Sequence, residues 1–313
     1  MQYQNNSTLI SVVDWKNEKT TQKCIESIYA NLIAVNSFEV ALVRNSYSES
    51  ITYDWLDQYK NLVVIDSKLN LGFAGGHNLA VEYFLKTDHK FIWLLNNDCL
   101  LTDLSLDSLL MAYQTKGDGI YGSVSIKDDD SEQLLHSGYQ DQSDWTLPGD
   151  LFDEFEGRKL NLLKPDKIRW VPVIHGHSMF IPRSIVKEYG FLRTDYFLYY
   201  EEIEYCLRLL SLGVKSYIVN SSVVVHLLSD STKHSLMLRN IIFYYKSRNK
   251  LFLNRDIYKK NLVKMWAESL LFILSRLVFL LRRGLTKEKL ELIAHVHFLV
   301  GLRGQTIKPD RYR

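Results

Sequence analysis

Short apolar runs alternate with amphipathic stretches through the first hundred residues. Leu9-Ile10-Ser11-Val12-Val13 reads as a strand and gives way to the polar loop Asp14-Trp15-Lys16-Asn17-Glu18. Residues 20–32 fit a helix with Cys24, Ile25, Ile28 and Tyr29 on one face. Strands follow over 38–43 and 62–65, then the loop Asn70-Leu71-Gly72-Phe73-Ala74-Gly75-Gly76-His77-Asn78 and a helix over 79–85. The run Phe91-Ile92-Trp93-Leu94-Leu95 stops abruptly at Asn96-Asn97-Asp98. Such a run suits a strand buried on both faces, although periodicity alone leaves a buried helix segment open. Strands alternating with helices predict a mostly parallel, doubly wound α/β half.

The second half reads less regularly. Residues 127–156 are acidic and polar, with Asp128, Asp129, Asp130, Asp144, Asp150 and Asp153 among them, and predict a solvated surface excursion. Trp170-Val171-Pro172-Val173-Ile174 leads into His175-Gly176-His177 and a strand over 178–181. A short helix over 184–189 is closed by Gly190. Ile203, Cys206, Leu207 and Leu210 at helical spacing place a helix start near Glu201, with Gly213 as its stop. Strands over 214–225 end at His226, and the pattern is helical from Lys233 onward.

Charge changes this picture more than composition does. The net charge of +2 hides 18 lysines and arginines against 5 acids over residues 233–313. An acidic body with a basic tail implies an anionic partner for the tail. No zinc finger or RNP signature is present, so a phospholipid surface is favoured over nucleic acid. Residues 262–281 are too interrupted by Lys264, Glu268 and Arg276 to span a bilayer. Trp266, Leu270, Leu271, Leu274 and Leu277, flanked by Lys259, Lys260, Arg282 and Arg283, leave two readings open. One is a peripheral membrane helix with snorkelling bases; the other is helices packed on the preceding domain or on a second subunit, as in a homodimer. Three widely spaced cysteines (Cys24, Cys99 and Cys206) form neither a disulfide framework nor a metal knuckle. With the polar opening Met1-Gln2-Tyr3-Gln4, they predict a cytoplasmic protein, at most peripheral on the inner face of the cell membrane.

Candidate chemistry gathers where strands end, because ligands of open α/β sheets collect beyond the strands' carboxyl ends. Asp98 is a natural ligand there for a divalent cation carrying a phosphate, whereas an isolated Asn-Asn-Asp is more often a turn. The spacing Gly72-x-x-Gly75-Gly76 matches neither the dinucleotide fingerprint nor the P-loop, which weakens dehydrogenase and kinase readings. It fits an anion site or a tight turn equally well. Glu201, Glu202 and Glu204 suit the positive end of a helix, and the neighbouring Tyr196, Phe197, Tyr199 and Tyr200 would desolvate them toward a general base. Consecutive helical residues point about 100° apart, so Glu201 and Glu202 play different parts. His226 closes Val223-Val224-Val225 and, with Asp98, would complete a metal or diphosphate site. His175 and His177 lack zinc-enzyme spacing and are expected to line a pocket.

Four motifs together resemble the family 2 glycosyltransferases, closest to the bacterial rhamnosyltransferase-like branch. They are the 70–78 loop with Leu94-Leu95-Asn96-Asn97-Asp98, Gly176-His177-Ser178-Met179-Phe180-Ile181-Pro182-Arg183, the segment Phe197 through Arg208 around Glu201-Glu202, and Val225-His226. The resemblance implies a GT-A fold, a Rossmann-like and mostly parallel central sheet flanked by helices, with a helical C-terminal extension. It divides the chain into a catalytic domain over 1–230, donor half about 1–125 and acceptor half about 126–230, and a basic helical region over 231–313. It further implies inverting transfer from a nucleotide-sugar donor to a glycan or lipid-linked acceptor in surface polysaccharide synthesis. On this resemblance Asp98 and His226 hold Mn²⁺ or Mg²⁺, and Glu202 is the base with Glu201 as its rival. Asp14, Asn45, Gly72, Gly75, Gly76, Asn78, Asn96 and Asn97 fall on the donor side, and His175, Gly176, His177 and Tyr200 on the acceptor side. Two departures stand out: Arg44-Asn45 replaces the usual Asp-Asn at the second strand, and Glu201-Glu202 replaces Glu-Asp. Arg44 and the single-carboxylate metal motif leave a catalytically silent glycan-binding or assembly subunit as the alternative. A sugar-phosphate nucleotidyltransferase is disfavoured, because the first-strand loop lacks glycines.

Overall fold

The structure, a computed structural model, describes residues 7–32, 37–48, 53–129, 132–141, 151–227, 236–277 and 286–309. The first half runs β1 (Thr8–Asp14), α1 (Glu18–Leu32), β2 (Phe38–Asn45), β3 (Leu62–Ser67), α2 (Gly72–Phe84) and β4 (Phe91–Asn96). It continues with β5 (Cys99–Leu101), α3 (Ser105–Lys116), β6 (Ile120–Lys127), β7 (Leu134–His136), β8 (Gln140–Asp141), β9 (Leu151–Phe152) and β10 (Ile168–Val171). Then come β11 (Ser178–Pro182), α4 (Arg183–Tyr189), α5 (Glu201–Ser211), β12 (Ser216–His226) and the helices α6 (Leu236–Asp256), α7 (Leu262–Arg276) and α8 (Lys287–Leu299).

One large sheet is ordered β10-β12-β6-β11-β4-β1-β2-β3, with β5 on β12 and β7 on β6. β3, β2, β1 and β4 are parallel neighbours, β11 enters antiparallel between β4 and β6, and β12 again runs parallel to β6. The mostly parallel α/β expectation is met. Alternation along β4 shows why its apolar run is unbroken. Ile92 and Leu94 join the core under α2 and α5, while Phe91, Trp93 and Leu95 join the core under α1 and α3. Both faces are covered by helices, so neither admits a polar residue.

Several expectations change. The glycine-rich segment is not a loop before a helix starting at residue 79; α2 begins at Gly72. The glycines serve close packing. A Cβ on Gly76 would sit 2.7 Å from Val13 of β1, and one on Gly72, at φ +71°, would sit 1.9 Å from the Phe197 carbonyl oxygen. The region from 214 to 226 is one strand, β12, with a register shift between Val219 and Val223. The acidic excursion is less solvated than its composition suggests. It carries β7, β8 and β9 and buries Leu134 and Ser137, although Asp130, Asp144 and Asp150 lie outside the described residues.

The hydrophobic pattern also fails to single out β5, α3 and β6. β6 is a central strand that nonetheless carries glycine and serines (Gly122, Ser123, Ser125); Ser123 finds partners inside the sheet, while the buried Ser125 hydroxyl has none among the described residues. The Trp93 indole donates to Ser178 Oγ (2.9 Å), Ser178 donates to Ser123 Oγ (2.8 Å), and Ser123 meets Ser222 Oγ at 2.7 Å. A buried hydroxyl that is bonded in this way does not exact the desolvation penalty of an orphan.

The C-terminal helices pack onto the segment that precedes α5. Phe197 joins Ile241, Tyr244, Tyr245, Leu290 and Ala294, and Tyr196 joins Phe252, Met265 and Phe298. Among the described residues no helix is long and apolar enough to cross a membrane. The exposed apolar residues of α7 include Val263, Trp266, Leu270, Leu271 and Leu274, whereas Lys233, Arg282 and Arg283 lie outside the described residues.

Candidate active site

The carboxyl ends of β1, β2 and β4 form the floor of the site. Asp14 at the end of β1 is almost fully buried and fully engaged. Its Oδ1 accepts from the Thr21 hydroxyl (2.7 Å), the Asn17 amide (3.1 Å) and Asn97 Nδ2 (3.2 Å), and its Oδ2 accepts from the Tyr53 hydroxyl (2.5 Å). It therefore fixes Asn97 and the β1–α1 loop. Asn45 ends β2, accepts from the Leu71 amide at 2.8 Å and donates to the Gly72 carbonyl at 3.1 Å, which locks the entry into α2.

Above this floor lies a first cavity of about 210 Å³, lined by Val13, Trp15, Asn45, Asn70, Gly72, Phe73, His77, Asn96, Asn97, Phe197, Leu198 and Pro309. Its rings and amides suit a flat heteroaromatic group with polar edges. His77 is bonded to Ser11 Oγ at 2.8 Å, and burial lowers its pKa to about 3, so it is a neutral hydrogen-bonding group. Arg44 does not line the cavity. It forms a bidentate pair with Asp66 (2.6 and 2.7 Å), its neighbour in register on β3, and lies 4.0 Å over the Tyr47 ring. The charge that departs from the usual motif is thus neutralised at the sheet edge. Gly75 packs against Leu71, Gly76 against Val13, and Asn78 donates to the Leu192 carbonyl at 3.0 Å; none of the three is among the cavity-lining residues.

Asn96 also lines a second cavity of about 500 Å³, together with Asp98, His136, Tyr139, His175, Tyr199, Tyr200, Glu202, His226, Lys246, Lys250 and Asn254. Asp98 Oδ1 lies 3.6 Å from His226 Nε2, and neither Asp98 Oδ1 nor His226 Nδ1 has a hydrogen-bond partner. Burial raises the Asp98 pKa, and the adjacent His226 pulls it part of the way back. Ligand atoms of Asp98, Cys99 and His226 all lie within 4.8 Å of one another. Burial pushes the Cys99 thiol far above its usual range, and its soft sulfur is a poor match for a hard cation. The orphaned carboxylate oxygen beside an imidazole fits Mn²⁺ or Mg²⁺ better.

Glu202 faces the second cavity from the first turn of α5, whereas Glu201 is 3% exposed and is not among the cavity's lining residues. Burial raises the pKa of both; for Glu201 the neighbouring Glu202 charge adds to the rise, and for Glu202 backbone amides and Lys246 oppose it. Gly176 lets the 175–177 turn approach this helix, since a Cβ there would be 3.6 Å from Glu202 Cβ and 3.0 Å from the Phe73 ring.

The imidazoles form a cluster that the sequence hints at only in part. The His175 ring lies 3.8 Å from His136 and 4.1 Å from Tyr139, centroid to centroid, while His177 lies 6.1 Å from His226 and is buried below the cavity. Burial, with the neighbouring imidazoles, holds His175 and His177 well below the usual range and His136 at about 4. His136, Tyr139 and Trp15 carry no motif of their own, and Phe73 and His77, though within the 70–78 motif, are not singled out by it; folding alone reveals that these side chains line the two cavities.

The segment that delivers Glu202 is strained. Phe197, Tyr199 and Tyr200 have φ of +67°, +65° and +76°, a region that disfavours residues with side chains. Asn249 of α6 holds it, donating from one amide to the carbonyls of Tyr196 (2.9 Å), Leu198 (2.9 Å) and Tyr199 (2.8 Å). The fully buried Arg248 beside it donates to the Tyr196 carbonyl at 3.1 Å.

Comparisons with known proteins agree with this architecture. A family model described as glycosyltransferase like family 2 matches residues 6–240. The low-salt glycan biosynthesis hexosyltransferase Agl10 of Haloferax volcanii is 26% identical over 310 residues, covering 96% of this chain and 93% of that protein. Among solved structures, GalNAc-T7 with UDP, GalNAc and Mn²⁺ superposes with a TM-score of 0.62 at 14% identity over 94% of this chain; the chain spans 55% of that structure's length. The mannosyltransferase PcManGT of Pyrobaculum calidifontis, with GDP-Man and Mn²⁺, superposes with a TM-score of 0.54 at 13% identity, covering 93% of this chain and 69% of that one. At such identities these likenesses bear on the fold, which is GT-A. With a family match that spans most of its length, the chain belongs to glycosyltransferase-like family 2.

Proposed function

We propose that the protein is an inverting, metal-dependent hexosyltransferase that moves a sugar from a nucleotide-diphosphate donor to a glycan or lipid-linked acceptor in surface glycan assembly. The observation that carries this reading is the placement of Asp98, His226 and Glu202 around one cavity that shares Asn96 with the aromatic cavity beside it. Trp15, Asn45 and Phe73 would hold the nucleoside. Asp98 and His226 would hold Mn²⁺ or Mg²⁺, which when bound neutralises charge on the leaving diphosphate. Glu202, with its pKa lifted by burial, takes the proton of the acceptor hydroxyl as that oxygen bonds to the anomeric carbon and the carbon–phosphate oxygen bond breaks. Tyr199 and Tyr200 shield that carboxylate from bulk water, and Glu201 supports the helix start. The rhamnosyl resemblance makes dTDP-rhamnose the first donor to try.

A thermal-shift panel of UDP, dTDP and GDP, each with Mn²⁺ or with chelator, tests the reading. A ligand that binds the native state must raise its apparent stability. Stabilisation by one nucleotide in the presence of metal is expected, and donor turnover should be lost in Asp98→Asn. Indifference to all three nucleotides would favour the silent glycan-binding subunit.

A further inference from the structure

The catalytic cavity has one wall that the transfer chemistry does not use. Lys246, Lys250 and Asn254 of α6 line it at intervals of four residues, so they form one stripe along the helix. The two lysine attachment points are about 6 Å apart, from the helical rise. Among the described residues neither lysine forms a salt bridge, although Lys246 Nζ lies 4.5 Å from the Tyr199 ring centroid, which steers it along the cavity wall. Asn254 Oδ1 is buried without a partner. Two unpaired ammonium groups a turn apart, facing a cavity, form a cradle for a multiply charged anion, and lysine is a common phosphate ligand.

We infer that Lys246 and Lys250 bind a phosphate or diphosphate group on the acceptor, so that the acceptor is a phosphorylated or diphosphate-linked saccharide. This rests on the transferase reading of the same cavity. The placement favours the acceptor over the donor. Lys246 acts electrostatically on Glu202, His136 and His175, on the side of the base, whereas the charge that acts on Asp98 is His226. An acceptor anchored by its phosphate on α6 would present a sugar hydroxyl to Glu202.

Calorimetry with geranyl diphosphate, in chelator so that no cation bridges it to Asp98, tests the inference. The wild-type chain is expected to bind it, K246Q/K250Q to bind at least tenfold more weakly, and K246R/K250R to recover most of the affinity. Inorganic pyrophosphate should follow the same order more weakly, separating recognition of phosphate from that of the prenyl chain. Unchanged binding by K246Q/K250Q, or equal affinity for a neutral alkyl glycoside, overturns the inference. So does an equal loss of nucleotide binding with Mn²⁺, since the lysines would then serve the donor. Failure of the wild-type chain to bind any nucleotide with Mn²⁺ would instead sink the transferase reading, a result the lysine variants do not affect.

Discussion

Glu202 sits where a charge is expensive to keep, and that sets a measurable opposition between stability and activity. Its folded pKa is raised by burial, so above that value the ionised side chain destabilises the fold relative to the unfolded chain. Glu202→Gln should therefore lower transfer by about a hundred- to ten-thousand-fold while raising the melting temperature of the metal-free protein at pH 8. The gain should shrink as the pH falls through that raised pKa and the wild-type carboxyl takes up its proton. A variant melting below wild type at pH 8 would show that the carboxylate is better solvated than its surroundings suggest. The histidines act in the opposite sense. His136, at about 4 when folded, would titrate near 6.5 when unfolded, so between those values the unfolded chain binds the extra proton and stability falls as the pH drops. His136→Asn should lessen that acid sensitivity by up to about 1.4 kcal/mol per pH unit in urea titrations. Asn249→Ala should lower stability by about 2–3 kcal/mol and depress kcat further than that loss explains, because it removes the amide that ties together the carbonyls of Tyr196, Leu198 and Tyr199 in the segment that aims Glu202. A purely structural asparagine would leave kcat intact in the folded fraction.

The way α2 enters the fold shows what a sequence displays and what it conceals. Gly72, Gly75 and Gly76 are visible as a cluster, but whether they cradle a ligand or let chains touch depends on what lies opposite. What lies opposite is Val13, sixty-odd positions away, and Phe197, well over a hundred away. Gly72→Ala combines a left-handed backbone with a Cβ 1.9 Å from a carbonyl oxygen, and should destabilise the protein by more than about 2 kcal/mol while displacing the α5 entry. Comparing its urea midpoint with that of the surface change Lys86→Ala checks this. The strand that leads into Asn96-Asn97-Asp98 was legible because burial on both faces writes an unbroken apolar run. β6 was not, since its Ser123 is satisfied by Ser178 and Ser222, partners that only the folded sheet supplies. His226 and Glu202 were readable through motif resemblance, whereas His136 reached the cavity on a strand of three residues within an acidic stretch.

The charge division of the chain and the face of α7 bear on where the protein works. We propose that this face rests on an anionic phospholipid surface. Val263, Trp266, Leu270 and Leu274 are exposed at helical spacing, and Lys259, Lys260 and Lys264 stand at one end. Flotation with phosphatidylglycerol vesicles at low salt should carry the protein upward, phosphatidylcholine vesicles should not, and W266A/L270D should abolish the effect. Flotation failing while the chain sediments as a dimer that W266A/L270D dissociates would assign the face to a second copy.

The clamp that Asn249 and Arg248 place on residues 196–200 ties Glu202, the proposed base, to a helix far along the chain. Anyone seeking to alter acceptor choice by exchanging C-terminal thirds between relatives would be exchanging part of the catalytic apparatus as well. Such hybrids should be active when residues 196–202 and 244–254 are taken from one parent, and inactive when the junction separates them. On the proposed mechanism, inheritance of specificity and inheritance of turnover would be a single unit.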